Sequence, residues 1–275
     1  MKKFILAIAL AIGAAFTAPA HEQFFGLDPD KFMKLIEQTQ KMPRDNAMLI
    51  VEQTMQVMST NPKSYRKALD MVLNRLSDPT DSLHNEDVYM AVLKHATESF
   101  VLSNNEKMRP KALLESAMKN RIGKTANDID YITDKGEKGN LLNNDKRFTL
   151  LYFNDPDCDA CAKVKENLQA SAAIKQAVET GIVRVVAINP MANEKQWKKT
   201  QMPAWVTNGW NKSQSINDGG SYDLPTLPVF YVLGRDNTVL AKNEASLKRI
   251  EKVIARIMSS PDADSETLAN LLFNK

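Results

Sequence analysis

Apolar residues recur at helical spacing from residue 28 to about residue 119, and strand-like alternation is missing from that stretch. Asp28-Pro29 reads as an N-cap followed by proline at the first helical position, with Phe32, Leu35 and Ile36 on one face behind it. Asn61-Pro62 repeats this start signal, and Tyr65, Ala68, Leu69, Val72, Leu73 and Leu76 form an apolar stripe after it. The spacing predicts further helices near 44–59, 86–102 and 106–119, with breaks at Ser77-Asp-Pro-Thr-Asp-Ser82 and Ser103-Asn-Asn105. At Gly123 the pattern changes. Asp128-Ile-Asp-Tyr-Ile-Thr133, a turn at Asp134-Lys-Gly136 and Gly139-Asn-Leu-Leu142 predict a short hairpin. A strand at 147–153, a helix from about 159 to 179 and a strand at 182–188 follow. Residues 189–221 read as a long connection with a helical piece near 193–200. Strands at Val229–Leu233 and Thr238–Ala241, a helix near 245–258 and a short helical tail after Pro261 close the chain. This order predicts an all-α unit followed by an α/β unit with a mixed central sheet flanked by helices.

The first twenty residues stand apart. Lys2 and Lys3, the apolar run Phe4 to Phe16 and the small residues Ala18-Pro19-Ala20 have the form of a secretory signal, read as removed after residue 20. The run is too short to span a bilayer, and no later segment reaches the roughly 20 apolar residues a span needs. No cysteine lies near residue 20 to take a lipid. The expectation is an exported chain, periplasmic or secreted, with no stable membrane insertion after signal removal. Loss of Lys2 and Lys3 lowers the formal charge from +3 to +1, since residues 1–20 hold no Asp or Glu. Near-neutral charge carries no nucleic-acid signature. The expected organisation is a signal at 1–20, a helical domain at 21–119, an α/β domain at 120–258 and a tail with a short helix at 259–275.

The chain has two cysteines, Cys158 and Cys161, in Asn154-Asp-Pro-Asp-Cys-Asp-Ala-Cys161 directly after the apolar run Phe148-Thr-Leu-Leu-Tyr-Phe153. A strand that turns into a helix here puts Cys158 at the helix N-terminus, where free N–H groups and the dipole favour a thiolate. Cys161, one turn on, faces the same side. A loop this small gains little as a structural staple. Dithiol exchange is the leading chemistry, with Cys158 attacking a substrate disulfide and Cys161 resolving the mixed disulfide. Zinc is one rival, but His21, His84 and His95 lie outside the α/β unit, so the other half of a tetrahedral site is hard to find. Asp155, Asp157, Asp159 and Glu166 fall at positions 1, 3, 5 and 12 of a calcium-loop pattern, yet position 6 is Ala160 and a strand precedes it. No metal or other cofactor is called for. Asp157 and Asp159 flank Cys158 and oppose the helix dipole, which predicts a reductant-leaning or intermediate couple rather than one near the strong-oxidant value of about −120 mV.

At these residues the chain resembles the thioredoxin-like superfamily, within it the exported thiol-disulfide reductases of cytochrome c maturation. Asn120-Arg-Ile-Gly-Lys-Thr-Ala-Asn-Asp-Ile129 is similar to that branch's N-terminal extension, and Tyr222-Asp-Leu-Pro-Thr-Leu-Pro228-Val-Phe-Tyr-Val-Leu233 to the segment holding its cis-proline. Residues 24–119, with Asp78-Pro79 and His84-Asn-Glu86, are similar to a helical domain of unknown function that precedes such domains in secreted bacterial proteins. The resemblance implies a thioredoxin-like fold over about 120–258, a protein or peptide disulfide as substrate and an electron-donating thiol partner. Of the two prolines, Pro228 has the family spacing, eight residues before Asp236, while Pro225 lies three too early. Leu227 would then contact a bound peptide. Ordinary trans turn prolines are the alternative.

Asp157 stands where the family commonly has tryptophan, and Tyr152 where many members hold a buried acid. No carboxylate is assigned as proton acceptor for Cys161, and Tyr152 is either a hydrogen-bond donor that tunes the site or a core residue. Trp197, Trp205 and Trp210 cluster in the long connection. Trp205 and Trp210 are candidates for the wall of a substrate groove; anchoring the connection onto the sheet is the other role. Nine of the twelve methionines after residue 20 lie between Met33 and Met118, as core filling or as an adaptable partner surface. The second functional class is a secreted partner-binding protein whose thioredoxin-like part is a scaffold with little or no turnover.

Overall fold

The computed structural model describes residues 28–268 apart from 41, 79, 80, 192, 219, 225 and 266. The expected signal at 1–20, Pro79 and Pro225 lie outside the described residues. The chain divides into two compact units, Met1–Glu115 and Ser116–Lys275.

The first unit is helical: α1 Pro29–Thr39, α2 Arg44–Met58, α3 Pro62–Leu76, α4 Glu86–Glu98 and α5, which begins at Asn104 and ends at Ala117. Asp28 accepts from the Lys31 N–H at 2.8 Å and Asn61 from the Ser64 N–H at 3.2 Å, each before a proline whose missing N–H costs nothing there. Asn85 caps α4 through the amides of Asp87 and Val88. Caps of this kind contribute about 1 kcal/mol each. Phe32, Ile36, Val51, Met55, Tyr65, Val72 and Leu76 are fully buried, and α4 is buried continuously from Val88 to Leu93. Met33, Met55, Met58 and Met90 fill this core, whereas Met108 and Met118 are exposed.

The second unit is built on a seven-stranded sheet of order β2-β1-β5-β4-β3-β6-β7. Its strands are β1 Asp130–Thr133, β2 Lys138–Asn140, β3 Phe148–Phe153, β4 Val183–Asn189, β5 Val206–Trp210, β6 Val229–Leu233 and β7 Val239–Glu244. The three central neighbours β5, β4 and β3 run parallel, and the flanking pairs are antiparallel. All six residues of β3 are buried because both faces are covered. Phe148, Leu150 and Tyr152 pack with residues of α6 Asp159–Ala170, α7 Ala172–Glu179 and α9 Leu247–Ser259. Leu151 and Phe153 face the opposite cluster, where Ala126, Ile129, Ile216 and Tyr222 cover the sheet from irregular segments. A four-residue helix α8, Glu194–Trp197, lies between β4 and β5.

Two details depart from the sequence expectation. The helix expected over 159–179 is two helices: Ser171 caps α7 through the Ile174 N–H and donates its hydroxyl to Glu251 at 2.6 Å. The expected connection 189–221 contains β5, which joins β4 to β1. Asn208-Gly209 in β5 imitates a turn signal. In the structure Asn208 is buried with its amide satisfied, accepting from the Trp197 indole at 3.0 Å and donating to the Thr200 carbonyl at 3.0 Å. Gly209 makes room for the Tyr131 ring: a Cβ there would sit 2.8 Å from Tyr131 Cδ2 and 2.7 Å from Ile188 Cδ1. Gly209→Ala is therefore expected to destabilise the sheet unit by about 1–3 kcal/mol through overpacking. Urea denaturation monitors this, and an unchanged midpoint would contradict the close packing.

Candidate functional site

β3 ends at Phe153, and five residues later Cys158 takes the N-cap of α6 in extended conformation, φ −105 and ψ 113. Its Sγ accepts the Cys161 N–H at 3.1 Å, so one amide of the helix N-terminus is satisfied by sulfur. Cys158 is half-buried and Cys161 buried, both as free thiols. Across from the helix end lies the loop before β6, where the Leu227–Pro228 peptide bond is cis. The Leu227 carbonyl accepts from Cys158 Sγ at 3.7 Å.

Cys161 is held from below and from the side. The buried Tyr152 hydroxyl donates to the Cys161 carbonyl at 3.0 Å, and its ring stacks on Phe230 with centroids 4.9 Å apart. Tyr152 is thus both core and donor. The Asp155 N–H points at Cys161 Sγ at 3.5 Å, and the Asp155 carboxylate accepts the Asp157 N–H at 3.0 Å. Burial pushes the Cys161 thiol up to about 12, helped by its hydrogen bond with Cys158 and opposed by the Asp155 amide. Burial also raises the Tyr152 phenol well above its ordinary value, with the two cysteines adding to the effect.

A cavity of about 270 Å³ opens on the Cys161 side, lined by Tyr152, Asn154, Asp155, Asp157, Lys165 and Lys199 among others. Asp157 and Asp159 are exposed on either side of Cys158, and Asp159 opens α6. Glu166 pairs instead with Lys163 at 3.2 Å on the surface. Among the described residues no three His, Cys, Asp or Glu side chains converge as metal ligands.

The structure therefore gathers Cys158, Cys161, Leu227, Pro228, Tyr152, Asp157 and Asp159 at one end of the sheet. Neither Trp205 nor Trp210 lines the cavity on the Cys161 side. Trp210 is buried, stacked on Trp197 at 5.9 Å, and its indole donates to the Met191 carbonyl at 2.8 Å. Trp205 packs on the helix-covered face of the sheet. An indole in an otherwise apolar contact anchors through its ring and needs one acceptor for its N–H, which Met191 supplies to Trp210. The residues that sequence reasoning missed are Asn154, Lys165 and Lys199, and the Asp155 amide. In the sequence Asp155 stands out only as part of a calcium-loop pattern.

Residues 27–120 match the family model described as a domain of unknown function, DUF5106. A thioredoxin-like protein from Bacteroides caccae is similar over 82% of this chain and 82% of its own, at 29% identity and a TM-score of 0.77. The C-terminal domain of an uncharacterized protein from Bacteroides fragilis is 35% identical over 50% of this chain and 98% of its own, with a TM-score of 0.48. The thioredoxin domain of a thiol-disulfide oxidoreductase from Bacteroides vulgatus is 18% identical over 49% of this chain and 98% of its own, with a TM-score of 0.40. None of the curated proteins matches. The chain has a thioredoxin-like fold, with a helical domain that matches the DUF5106 model ahead of the sheet domain. Among the described residues no helix is long and apolar enough to cross a membrane.

The raised Cys161 thiol has a thermodynamic consequence. Above the ordinary thiol value of about 8.5 the unfolded chain loses a proton that the folded chain keeps, so this contribution to stability falls as pH rises toward the folded value. Urea midpoints of the reduced protein should decline more steeply above about pH 8.5 than those of Cys161→Ala. Parallel profiles would contradict burial of the thiol.

Proposed function

We propose that this protein is an exported thiol-disulfide oxidoreductase that reduces protein or peptide disulfides through Cys158 and Cys161. The observation that carries the reading is the placement of Cys158 Sγ between the N-terminal amide of α6 and the Leu227 carbonyl. The amide stabilises negative charge on sulfur. The backbone before Pro228 offers an extended edge for a substrate peptide, with Leu227 as its contact residue.

In the proposed cycle the Cys158 thiolate attacks one sulfur of the substrate disulfide. The S–S bond breaks, the leaving thiolate takes a proton, and a Cys158–substrate disulfide forms. Cys161 then loses its proton and attacks Cys158 Sγ, releasing the substrate's second thiol and leaving a Cys158–Cys161 disulfide. Two electrons have passed from the dithiol to the substrate, and an external thiol partner returns them. Asp157 and Asp159 place negative charge beside the attacking sulfur and so favour reduction of substrates over their oxidation. The reading includes removal of residues 1–20, work in the periplasm or outside the cell, and a helical domain at 21–119 ahead of the redox domain at 120–258. Within the superfamily it places the chain nearest the reductases of cytochrome c maturation.

A partner-binding role with a silent scaffold draws support from one feature of the helical unit, the exposed apolar side chains Phe100 (79% exposed) and Met108 (69%). One experiment separates the two. The protein is incubated with a disulfide protein such as insulin and dithiothreitol, and Cys161→Ser is examined for trapped adducts on non-reducing gels. Catalysed reduction and mixed disulfides that disappear in Cys158→Ser/Cys161→Ser are expected. No turnover and no adduct would overturn the enzymatic reading and favour the binding one.

A further inference from the structure

Phe100 is the most exposed large apolar side chain among the described residues, and a loose loop is not the reason. Ser99, the C-cap of α4, is buried, and its hydroxyl oxygen accepts the Val101 N–H at 3.1 Å. The Val101 carbonyl accepts from the Arg66 guanidinium of α3 at 2.8 Å. Glu106, in the first turn of α5, pairs with Arg66 at 2.5 Å and accepts the Ser103 N–H at 2.8 Å and the Ser103 hydroxyl at 2.7 Å. The chain is fastened on both sides of Phe100 while the ring projects into solvent. A phenylalanine held out of the core in this way forgoes its burial energy, and its fixed backbone loses little freedom on meeting a partner.

Met108 stands two residues beyond Glu106, so the pairing of Glu106 with α3 turns Met108 away from that helix. It is exposed in a stripe with Asn104, Lys111 and Ala112. Side chains on a helix slope toward its N-terminus, here the end at which Phe100 lies.

Cations border the same end. Lys63 and Lys67 on α3 and Arg109 and Lys111 on α5 are exposed, and Lys107 is half-buried. The two helices lie side by side, tied by the Arg66–Glu106 pair and by Arg109 donating to Asn74 Oδ1 at 3.3 Å. Among the described residues none of these five cations makes an ion pair. The carboxylates nearby are Asp70, Glu98 and the already paired Glu106, with Glu115 at the far end of α5. Over residues 28–115 acidic residues slightly outnumber basic ones, so the positive excess is local.

A projecting side chain needs a matching pocket in a protein partner, whereas an acyl layer accepts it without one. Cations spread over two helices suit a surface of many phosphates better than a single anion. We propose that this end of the helical unit docks on an anionic lipid surface, with Phe100 and Met108 entering the acyl boundary and the lysines and Arg109 facing the headgroup phosphates. The attachment is peripheral, and it uses no residue of the dithiol site, so it stands apart from the oxidoreductase reading.

The test is co-sedimentation with vesicles of phosphatidylcholine alone and of phosphatidylcholine with phosphatidylglycerol in equal parts. The protein is used without residues 1–20, whose apolar run would itself bind lipid. Binding to the mixed vesicles, little binding to the neutral ones, and release as salt rises from about 0.05 to about 0.5 M are expected. Phe100→Ser/Met108→Ser should weaken partition by about tenfold or more, through loss of buried apolar area. Lys67→Gln/Lys111→Gln should weaken it by about tenfold at low salt. Lys248→Gln/Lys252→Gln, which removes exposed lysines of α9, should bind as the wild type does. Helical circular dichroism confirms that each variant is folded. Absence of binding, equal binding to both vesicle types, or partition unchanged in the Phe100 and Lys67 variants would overturn the proposal. Two further results would overturn it by assigning the patch elsewhere. One is a dimer in sedimentation velocity that Phe100→Ser/Met108→Ser dissolves, which points to a second copy. The other is binding to polyglutamate without binding to vesicles, which points to an acidic protein.

Discussion

A helix leaves its first amides without intrahelical partners, and in α6 the sulfur of Cys158 takes one of them, the Cys161 N–H at 3.1 Å. Most of the site follows from that contact. It holds the two cysteines in register one turn apart, places Cys158 where the helix field favours an anion, and turns Cys161 inward under the end of β3. The same contact makes the pair asymmetric, since Cys158 remains half-open while Cys161 is buried.

The surrounding structure keeps this helix end in place. β3 is buried on both faces, and its side chains belong to two cores at once. Its last turn-facing aromatic, Tyr152, reaches up to the Cys161 carbonyl while stacking on Phe230 of the neighbouring β6. β6 in turn begins one residue after Pro228, so the strand that supports Tyr152 also sets the loop whose Leu227 carbonyl faces Cys158. Packing of the sheet and geometry of the thiols are therefore one problem, and removal of Tyr152 would disturb both.

Much of this was legible in the residues. Asp28-Pro29 and Asn61-Pro62 announced helix starts because a short polar cap and a proline are useful together only there. The strand-to-helix passage at Cys158 was legible because a wholly apolar run is followed abruptly by Asn-Asp-Pro-Asp. The break at Ser171 was not, since Ala170-Ser171-Ala172 carries no glycine or proline and the new cap depends on a tertiary partner, Glu251. β5 was hidden for a related reason: Asn208-Gly209 has local turn chemistry, and only Trp197, Thr200 and the Tyr131 ring make it a strand. The tryptophans left two roles open in the sequence, because large aromatic residues serve cores and clefts equally well. Asp155 was overlooked as a neighbour of Cys161, for its part depends on a backbone amide and a cavity that no side-chain pattern reveals.

The proposed function requires Cys158 and Cys161 to form one reversible couple, tempered toward reduction by the exposed carboxylates beside Cys158. Equilibration of the protein across thiol redox buffers, with the thiol content read by mass after alkylation, measures the couple directly. A single two-electron transition at or below about −180 mV is expected. A couple near about −120 mV, or no transition at all, would contradict it.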